Sequence, residues 1–421
     1  MSSLHRRIQP ETLPLELQEY ERYGRQMIMP GFGLKGLKLT SSGAHLKGQI
    51  SFKSARIAVV GAGGLGCPVL QYLAGAGVGT IGIFDHDTVG MSNLHRQILH
   101  ATKNVGMNKA ESACLALKAL NDCVNVVPYP VPITSSNALS LLRPFQMIVD
   151  CTDRPLSRYL LSDVSVRLDV PLISGAAISS AGQWAVYGGK TKQGKRRACY
   201  RCIWPKVLGD SGGTCEEQGV WGVITGIVGV GMAEEAIKLI MGKEDSEAFL
   251  HIHHLGSSPF IRSIRLKKPS DKCIACGPKT SITDDLDAFN YDMFCAGDFD
   301  NNRNIDELAH DKEQRLAAQD LDDILRTTGD QVTLIDTRPA VEYEICSLPG
   351  STNISLETIL SEPEVVPITK EIVFICRRGN DSQIAAAALR ASHSKTDGIR
   401  IRDVRGGLVS WREVDPNFPI Y

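Results

Sequence analysis

The sequence carries almost no net charge. Its 46 lysine and arginine residues stand against 47 aspartate and glutamate residues, which leaves a formal net charge of -1. A nearly neutral chain gives no electrostatic reason to bind nucleic acid or an anionic membrane surface. We therefore expect no direct nucleic-acid binding, and a charged ligand would have to be recognised by a local cluster of residues.

The chain also lacks a long hydrophobic run. Its first residues, MSSLHRRIQPE, contain no apolar segment of signal-peptide length. The apolar stretch 220–233 is short for a membrane span and is interrupted by glycines. These absences predict a cytoplasmic protein without a membrane partner.

Cysteine is present but sparse. Twelve cysteines in 421 residues are too few for a disulfide-stabilised scaffold of this length. In a reducing compartment, clustered cysteines more often bind a metal or take part in catalysis. The spacing of the cysteines is therefore more informative than their number.

The length of 421 residues predicts two or three domains. Between residues 55 and 240, strand-like runs alternate with helical patterns, which predicts a Rossmann-like doubly wound α/β sheet. A second, smaller α/β pattern begins near Gln331 with QVTLIDTR and EIVFICRRGND. Acidic residues dominate the segment between them, in which Phe289, Tyr291 and Phe294 could dock on a neighbour. We predict domains at 1–277 and 316–421, joined by an acidic linker at 278–315.

A glycine-rich loop, VVGAGGLG at 59–66, follows the first strand of the larger pattern and precedes a helix. Its glycines Gly61, Gly63 and Gly64 let the backbone approach phosphates, and Asp85 ends the next strand, where it could hold ribose hydroxyls. This context predicts a nucleotide site but does not choose between a mononucleotide and a dinucleotide. A glycine-rich turn without a ligand is the alternative.

Four charged or polar residues favour nucleotide transfer over hydride transfer. Asn93 and Arg96 lie in GMSNLHRQ, Lys109 lies at a predicted helix start, and Asp153 follows a strand. Cations neutralise phosphate oxygens and a carboxylate holds Mg²⁺, so this combination suits phosphoryl or adenylyl transfer. Each residue taken singly is more often a solvated or paired surface charge, and only the combination favours nucleotide transfer.

Residues 19–277 resemble the MoeB/ThiF branch of the ubiquitin-activating-enzyme superfamily. The resemblance is carried by the glycine loop and by NLHRQ, VGMNKAESA, DCTD, PLISGAA and CYRC. It implies a homodimeric adenylyltransferase that binds ATP and Mg²⁺, with Gly64 at the phosphates, Asp85 at the ribose and Asp153 on Mg²⁺. It further implies that Ser92, Asn93, Arg96 and Lys109 surround the phosphates, and that Arg25 reaches the active site of the other subunit. The chain departs from the family at Arg154, where asparagine is usual.

Two C-x-x-C pairs, Cys199 with Cys202 and Cys273 with Cys276, are seventy residues apart. Paired thiolates at this spacing can each hold one side of a tetrahedral Zn²⁺, and a closed four-sulfur site is structural. Two redox dithiols are the alternative. The similar adenylyltransferases carry zinc at matching cysteines.

Cys215 lies in the glycine-flanked stretch SGGTCEEQG, with no partner cysteine nearby. The residues alone leave a small buried filler and a mobile nucleophile equally open. In eukaryotic relatives the matching position is a cysteine of the crossover loop. The resemblance therefore implies that Cys215 accepts an acyl group or resolves a persulfide adduct.

Cys376 follows the strand-like EIVFI and precedes the loop RRGND and a helical pattern. Loop N–H groups, a helix amino terminus and the side chains of Arg377 and Arg378 would favour a thiolate or persulfide anion at an exposed sulfur. A half-buried cysteine at a strand end is the alternative. A cysteine phosphatase is disfavoured because Ser382 stands where Cys-x5-Arg requires arginine.

Residues 320–421 resemble a rhodanese domain through LIDTRPAVEYEI, LPGSTNI, the six-residue loop 376–381 and DVRGG followed by Trp411. The usual Gly-His is replaced by CSL at 346–348. The resemblance implies that Cys376 carries a persulfide delivered by another sulfurtransferase.

Together the two resemblances imply a bifunctional adenylyltransferase and sulfurtransferase. The first domain would adenylate the C-terminal glycine of a ubiquitin-like sulfur carrier ending in Gly-Gly, and the Cys376 persulfide would convert it to a thiocarboxylate. The implied processes are tRNA wobble-uridine 2-thiolation and protein conjugation, with molybdopterin synthesis as a further candidate. An NAD-dependent oxidoreductase with a persulfide-carrying domain and a noncatalytic scaffold that binds the carrier are the alternatives.

Overall fold

The computed structural model describes residues 13–36, 48–191, 193–206, 219–243, 247–296, 314–328, 331–392 and 398–421. The chain divides into two compact units, residues 1–299 and 300–421. Each unit has its own sheet and its own core.

The first unit is built on an eight-stranded sheet whose strand order is 3-2-1-4-5-6-7-8. The first five strands are parallel, as the alternating sequence pattern predicts, and the last three extend the sheet in antiparallel fashion, which the pattern did not predict. The strands are β1 (Arg56–Val60), β2 (Thr80–Phe84), β3 (Asn125–Tyr129), β4 (Met147–Asp150), β5 (Leu172–Ile178), β6 (Ala181–Tyr187), β7 (Phe249–His254) and β8 (Arg262–Arg265).

Helices cover both faces of this sheet. One face packs against the helices at Gly66–Gly75, Lys109–Leu120 and Gly222–Met241. The other face packs against the helices at Ala138–Leu142 and Pro155–Leu168, so that the parallel strands are buried on both sides. The described helices are α1 (Leu17–Met27), α2 (Gln49–Ser54), α3 (Gly66–Gly75), α4 (Lys109–Leu120), α5 (Ala138–Leu142), α6 (Pro155–Leu168), α7 (Tyr200–Ile203), α8 (Gly222–Met241) and α9 (Tyr291–Ala296). Short 3-10 turns lie at Met91–Asn93, Thr102–Asn104 and Leu286–Ala288.

The glycine-interrupted apolar stretch forms most of α8, which is a core helix. Ile224, Val228 and Met232 are fully buried against the sheet. The glycines of this helix allow close packing against its neighbours. At Gly229 a side chain would not fit, because a Cβ there would lie 2.5 Å from the Leu65 carbonyl oxygen. Within the described residues, no helix is both long and apolar enough to cross a membrane.

The described part of the predicted linker, residues 278–296, packs on the first unit. Tyr291 is buried and Phe289 and Phe294 pack against the core cluster that α6 also lines. The aromatic side chains that the sequence singled out thus dock on a neighbouring element. The predicted domain boundaries themselves stay a prediction.

The second unit has a five-stranded parallel sheet of order 11-10-12-13-9 with a small core on each face. Its strands are β9 (Arg315–Leu316), β10 (Val332–Asp336), β11 (Thr352–Asn353), β12 (Glu371–Ile375) and β13 (Arg400–Val404). Its helices are α10 (Ala318–Thr328), α11 (Ala340–Ile345), α12 (Leu356–Ser361), α13 (Asp381–Ser392) and α14 (Gly407–Trp411), with a 3-10 turn at Pro363–Val365. The predicted fold class, a doubly wound α/β unit joined to a smaller α/β unit, is confirmed.

Candidate functional site

The glycine loop lies at the carboxyl end of β1, where it connects to α3. Gly61 has a φ of +97°, and a Cβ there would lie 2.7 Å from the Cys151 carbonyl oxygen. A Cβ on Gly66 would lie 2.0 Å from the Gly61 carbonyl oxygen. These two glycines are therefore required by the backbone itself. A Cβ on Gly63 would meet nothing closer than 3.5 Å, so its lack of a side chain leaves the loop surface open to a ligand.

Asp85 orders this loop from the end of β2. One carboxylate oxygen accepts a hydrogen bond from the Ala62 N–H at 2.7 Å, and the other accepts one from the Asp87 N–H at 2.9 Å. Burial raises the pKa of Asp85, although the Lys109 charge and these two hydrogen bonds act in the opposite direction. Asp85, the residue predicted to bind the ribose, is thus held in place, and its carboxylate has lone pairs left for a further donor.

Lys109 opens α4, as predicted, and its side chain is buried. The Asn108 side chain caps this helix by accepting the Ala110 N–H at 2.9 Å. The Lys109 ammonium group donates to Asp87 at 2.9 Å. Burial raises the pKa of Asp87, but the Lys109 hydrogen bond and charge outweigh burial and hold it below its usual value, and the Arg154 charge adds to this effect. The unusual Arg154 thus adds positive charge near Asp87. Asp87 is a site residue that the sequence did not predict.

Arg96 and Asn93 form a pair at the 3-10 turn after β2. The Arg96 guanidinium donates to the Asn93 side-chain oxygen at 2.7 Å and to the Ser92 carbonyl oxygen at 3.4 Å. Ser92 therefore contributes its backbone carbonyl to this pair.

The next residue in the chain is a second functional candidate that sequence reasoning missed. The Gln97 side chain is buried, and its Oε1 atom has no hydrogen-bond partner among the described residues. Its Nε2 atom is the nearest group to the open side of Gly63. An unpaired buried acceptor beside the glycine loop is costly without a ligand and fits a donor from a bound molecule.

Asp153 lies in the loop that follows β4, at the same edge of the sheet as the glycine loop. The two loops are adjacent because the Cys151 N–H donates to the Val60 carbonyl oxygen at 2.8 Å. Asp150 anchors this loop by accepting hydrogen bonds from Thr152. Asp153 itself is exposed, and its carboxylate is free to meet a hydrated cation.

Arg25 lies at the opposite edge of the sheet from the glycine loop of its own chain. Its helix, α1, is bound to the carboxyl-terminal ends of α3 and α4, through Gln26 to the Ala76 carbonyl at 2.8 Å and through Tyr23 to Asn121 at 2.9 Å. The glycine loop and Lys109 lie at the amino-terminal ends of these same two helices. The exposed Arg25 side chain is therefore not part of the site within one chain.

The four cysteines of the two C-x-x-C pairs meet in one cluster. Sulfur atoms of Cys199 and Cys273 are 3.5 Å apart, and those of Cys202 and Cys276 are 3.3 Å apart. All four sulfurs lie within 4.8 Å of one another. Four sulfurs bound at the usual zinc distance would be about 3.8 Å apart, so the cluster is compatible with Zn²⁺. A redox pair would not need sulfurs from both motifs to converge.

A buried ion pair holds this cluster to the helical layer. Arg201, between the first two cysteines, donates to both oxygens of Asp163 on α6 at 2.9 and 2.8 Å. The Tyr291 hydroxyl donates to the same carboxylate at 2.9 Å. The guanidinium group also stacks over Phe289 and Phe294, 4.7 and 4.4 Å from the ring centres. One arginine thus joins the cysteine cluster, α6 and the docked acidic segment.

In the second unit, Cys376 directly follows β12, as predicted, but its sulfur is buried rather than exposed. Only 2% of the residue is accessible. The sulfur accepts the Gly379 N–H at 3.1 Å and donates to the Ser382 hydroxyl at 3.5 Å. Burial raises the pKa of Cys376, and hydrogen bonds from Ser382 and the loop N–H groups oppose it without cancelling it.

The Arg377 side chain, which we expect to favour a thiolate, is bound to Tyr421. Its guanidinium group lies over the Tyr421 ring, 4.7 Å from the centre, and donates to the Tyr421 carbonyl oxygen. Tyr421 is in turn held by Glu342 at 2.6 Å. Nearby, where the usual Gly-His is replaced, the Cys346 carbonyl accepts a hydrogen bond from the buried Arg338 at 2.6 Å. The backbone N–H groups of the cysteine loop, among them that of Gly379, support an anion at the sulfur.

Cys215 lies outside the described residues. Its predicted role as an acyl acceptor or resolving thiol stays a prediction. The structure likewise leaves the roles of the other predicted site residues as predictions, while it brings the nucleotide residues of one chain, other than Arg25, to one edge of the sheet.

Two protein families match the chain. The ThiF family matches residues 23–275, and the rhodanese-like domain matches residues 317–414. The first match covers the eight-stranded sheet and three of the four clustered cysteines, ending one residue before Cys276, and the second covers most of the smaller unit.

Curated relatives match along nearly the whole chain. Adenylyltransferase and sulfurtransferase uba4 of Ogataea parapolymorpha is 40% identical over 426 residues, which cover 97% of this chain and 100% of that protein. Adenylyltransferase and sulfurtransferase MOCS3 of Drosophila persimilis is 40% identical over 98% of this chain and 87% of that protein. Adenylyltransferase and sulfurtransferase UBA4 of Kluyveromyces lactis is 36% identical over 97% and 91%.

Proposed function

This chain belongs to the family of adenylyltransferases and sulfurtransferases that join a ThiF unit to a rhodanese-like domain, and from this premise we propose that it activates a ubiquitin-like sulfur carrier and converts it to a thiocarboxylate. The observation that carries the proposal is the presence of both sites in one chain. A candidate nucleotide site with Lys109 and Asp153 lies in the first unit, and a cysteine that accepts hydrogen bonds from loop N–H groups lies in the second.

The first reaction is adenylation. A carboxylate is a poor acyl donor, so the carrier's C-terminal glycine attacks the α-phosphorus of ATP, forms an acyl-adenylate and releases pyrophosphate. Arg96 and Lys109 neutralise the phosphates, and the open surface at Gly63 admits them. ThiF-type adenylation implies ATP and Mg²⁺ as cofactors. We assign Mg²⁺ to Asp153, where the cation would offset the charge that develops on pyrophosphate.

The second reaction is sulfur transfer. The terminal sulfur of a Cys376 persulfide attacks the acyl carbonyl, and AMP leaves. The product is an acyl disulfide, which a Cys215 thiolate opens by attacking the Cys376 sulfur and releasing the thiocarboxylate. The Cys215–Cys376 disulfide that remains is reduced by an external thiol. An upstream sulfurtransferase then supplies the next persulfide sulfur to Cys376.

Three further parts of the proposal concern assembly and cellular role. The exposed Arg25 at the far edge of its own sheet supports a homodimer in which it completes the partner's nucleotide site. The four-cysteine cluster supports a structural Zn²⁺ that ties the chain after the sheet back onto the unit. We place the thiocarboxylate product in tRNA wobble-uridine 2-thiolation and protein conjugation in the cytoplasm, with molybdopterin synthesis as a further candidate.

The alternatives are not supported by the relatives, all three of which are named as adenylyltransferases and sulfurtransferases. An NAD-dependent oxidoreductase would bind NAD(H) at Asp85 without needing Lys109 or Asp153. A noncatalytic scaffold would bind the carrier without consuming ATP. Both are distinguished by the same measurement.

That measurement is ATP–pyrophosphate exchange with a purified ubiquitin-like carrier ending in Gly-Gly. We expect exchange in the native protein and in Cys376→Ala, and a loss of about a hundredfold or more in Asp153→Ala. Thiocarboxylate formation, followed by mass spectrometry of the carrier, should be lost in both variants. Absence of exchange with every such carrier would contradict the activating function, and NAD(H) binding would then be tested.

A further inference from the structure

Three buried side chains form a continuous row beneath the cysteine loop of the second unit. The Cys376 thiol donates to the Ser382 hydroxyl at 3.5 Å, and this hydroxyl donates to an Asp403 carboxylate oxygen at 3.3 Å. Each of the three residues is at most 2% exposed. A thiol, a hydroxyl and a carboxylate are thus connected in the order that a proton would follow from sulfur to base.

The second observation is that Arg315 fixes both oxygens of the Asp403 carboxylate. Arg315 on β9 donates to both Asp403 oxygens at 3.2 and 3.1 Å, and it also donates to the Gly379 carbonyl oxygen of the cysteine loop at 2.9 Å. Asp403 itself lies on β13, which pairs with β12, the strand that delivers Cys376. The base and the nucleophile are therefore held by adjacent strands of one rigid sheet.

Sulfur transfer requires that the Cys376 thiol at one end of this row lose its proton. The attacking species is the thiolate, and a thiol whose pKa is raised by burial is mostly protonated near neutral pH. Its proton must leave when sulfur arrives, and little water reaches the sulfur because only 2% of the residue is accessible. A buried base that is reached through one hydroxyl would remove it without opening the loop.

We propose that Asp403 acts as the general base for Cys376 through Ser382. The Cys376 proton moves to the Ser382 oxygen while the Ser382 proton moves to Asp403. The Cys376 thiolate then attacks the outer sulfur of the donor, a sulfur–sulfur bond forms, and the donor's own sulfur–sulfur bond breaks. A persulfide donor leaves as a thiolate and thiosulfate leaves as sulfite, so no outside oxidant or reductant is needed.

The same hydroxyl serves the product. Once Cys376 carries a persulfide anion, the Ser382 hydroxyl can turn and donate to the sulfur, because a hydroxyl both donates and accepts. Two other charged groups act on the row. Arg390 on α13 adds positive charge that lowers the pKa of Asp403, although burial outweighs it and raises that pKa overall. Asp381 at the start of α13 raises the pKa of Cys376, so the thiol needs a base to lose its proton.

The inference rests on sulfur transfer at Cys376 and is tested in the full-length protein with thiosulfate as donor and cyanide as acceptor. We expect Ser382→Ala and Asp403→Asn each to lower kcat about tenfold or more at neutral pH while KM for thiosulfate stays unchanged. The double variant should be no slower than the slower single variant, since both remove one relay. Ser351→Ala, a partly buried serine of the same unit that bonds a backbone carbonyl, is the matched control.

A second readout does not depend on turnover. The pH dependence of iodoacetamide labelling at Cys376, followed by mass spectrometry of its peptide, should shift to higher pH in Ser382→Ala but not in Ser351→Ala. Ser382→Ala is decisive if loss of the Arg315 partner prevents Asp403→Asn from folding. An unchanged kcat and labelling profile in Ser382→Ala would overturn the relay. If the native protein labels at Cys376 but transfers no sulfur, the sulfurtransferase assignment fails instead, and the labelling profile still decides the relay.

Discussion

At the scale of single residues, His100 shows how a buried polar side chain supports the nucleotide loop. Its Nε2 atom lies 2.8 Å from the Ala62 carbonyl oxygen and its Nδ1 atom lies 2.9 Å from the Ser112 hydroxyl. The neutral ring satisfies both contacts, donating from Nε2 and accepting at Nδ1. Burial lowers the pKa of His100, and the Lys109 charge acts in the same direction.

This arrangement predicts that acidification weakens the first unit. The unfolded chain binds a proton at His100 near its ordinary pKa of about 6.5, whereas the folded chain binds it only at lower pH. The stabilising contribution is therefore complete above about pH 6.5 and is lost as the pH falls below it. Urea unfolding of the first unit between pH 7.5 and 5.5 should show a steeper loss in the native protein than in His100→Asn.

His95→Gln is the control for this measurement, because His95 lies in the same segment but is exposed. Equal pH slopes for the native protein and His100→Asn would show that His100 contributes nothing to the pH dependence.

At the scale of elements, the cysteine cluster joins two segments that are far apart in sequence and share one hydrophobic cluster, but that no strand pairing among the described residues connects directly. Cys199 and Cys202 flank the start of α7, whereas Cys273 and Cys276 lie in the loop after β8. The Ser270 N–H donates to the Cys202 sulfur at 3.3 Å, as expected for a thiolate that a metal also holds. A closed site of this kind adds its binding free energy to folding.

We therefore predict one Zn²⁺ per chain and a dependence of stability on it. Metal analysis of the native protein should give a zinc-to-protein ratio near one, and Cys276→Ser should lower this ratio and the melting temperature by about 5 °C or more. Cys123→Ser, a partly exposed cysteine of the same unit, should change neither quantity. A native protein without bound metal, and with an unchanged melting temperature after chelation, would contradict the structural zinc site.

At the scale of the whole molecule, Arg25 lies too far from the nucleotide site of its own chain to complete that site. Helix α3 is ten residues long, so its two ends are about 15 Å apart, with the glycine loop at one end and α1 packed at the other. A side chain on α1 cannot bind the nucleotide of its own chain without leaving this packing. A second copy can supply it, provided that the interface brings the two edges together.

Subunit mixing tests this arrangement. Arg25→Ala and Lys109→Ala homodimers should each lose ATP–pyrophosphate exchange. After unfolding and refolding of an equal mixture, half of the dimers should be mixed, and each mixed dimer should contain one intact site. We therefore expect about one quarter of the native exchange activity. Separately refolded variants that are then combined without exchange of subunits serve as the control, and recovery absent from the mixture would exclude an Arg25 that acts across the dimer.

Much of this architecture could be predicted from the sequence, because the signals are local. Alternating strand and helix patterns give the parallel sheets, and Gly61 and Gly66 mark a turn whose backbone allows no Cβ. The two C-x-x-C spacings similarly predict a four-sulfur cluster, since ligand spacing is a property of a few neighbouring residues. The sequence by itself thus determined the fold class, the two-unit order and the place of Cys376 directly after its strand.

Only the tertiary structure decided which distant groups meet. Asp163 and Arg201 are 38 residues apart, and Ser382 and Asp403 are 21 apart on neighbouring elements, so no spacing rule reports either contact. Burial of Cys376 likewise depends on the two layers of helices around β12. Local patterns fix the elements because backbone preferences act over a few residues, whereas burial and long-range pairing set the pKa and reactivity of the groups that those elements carry.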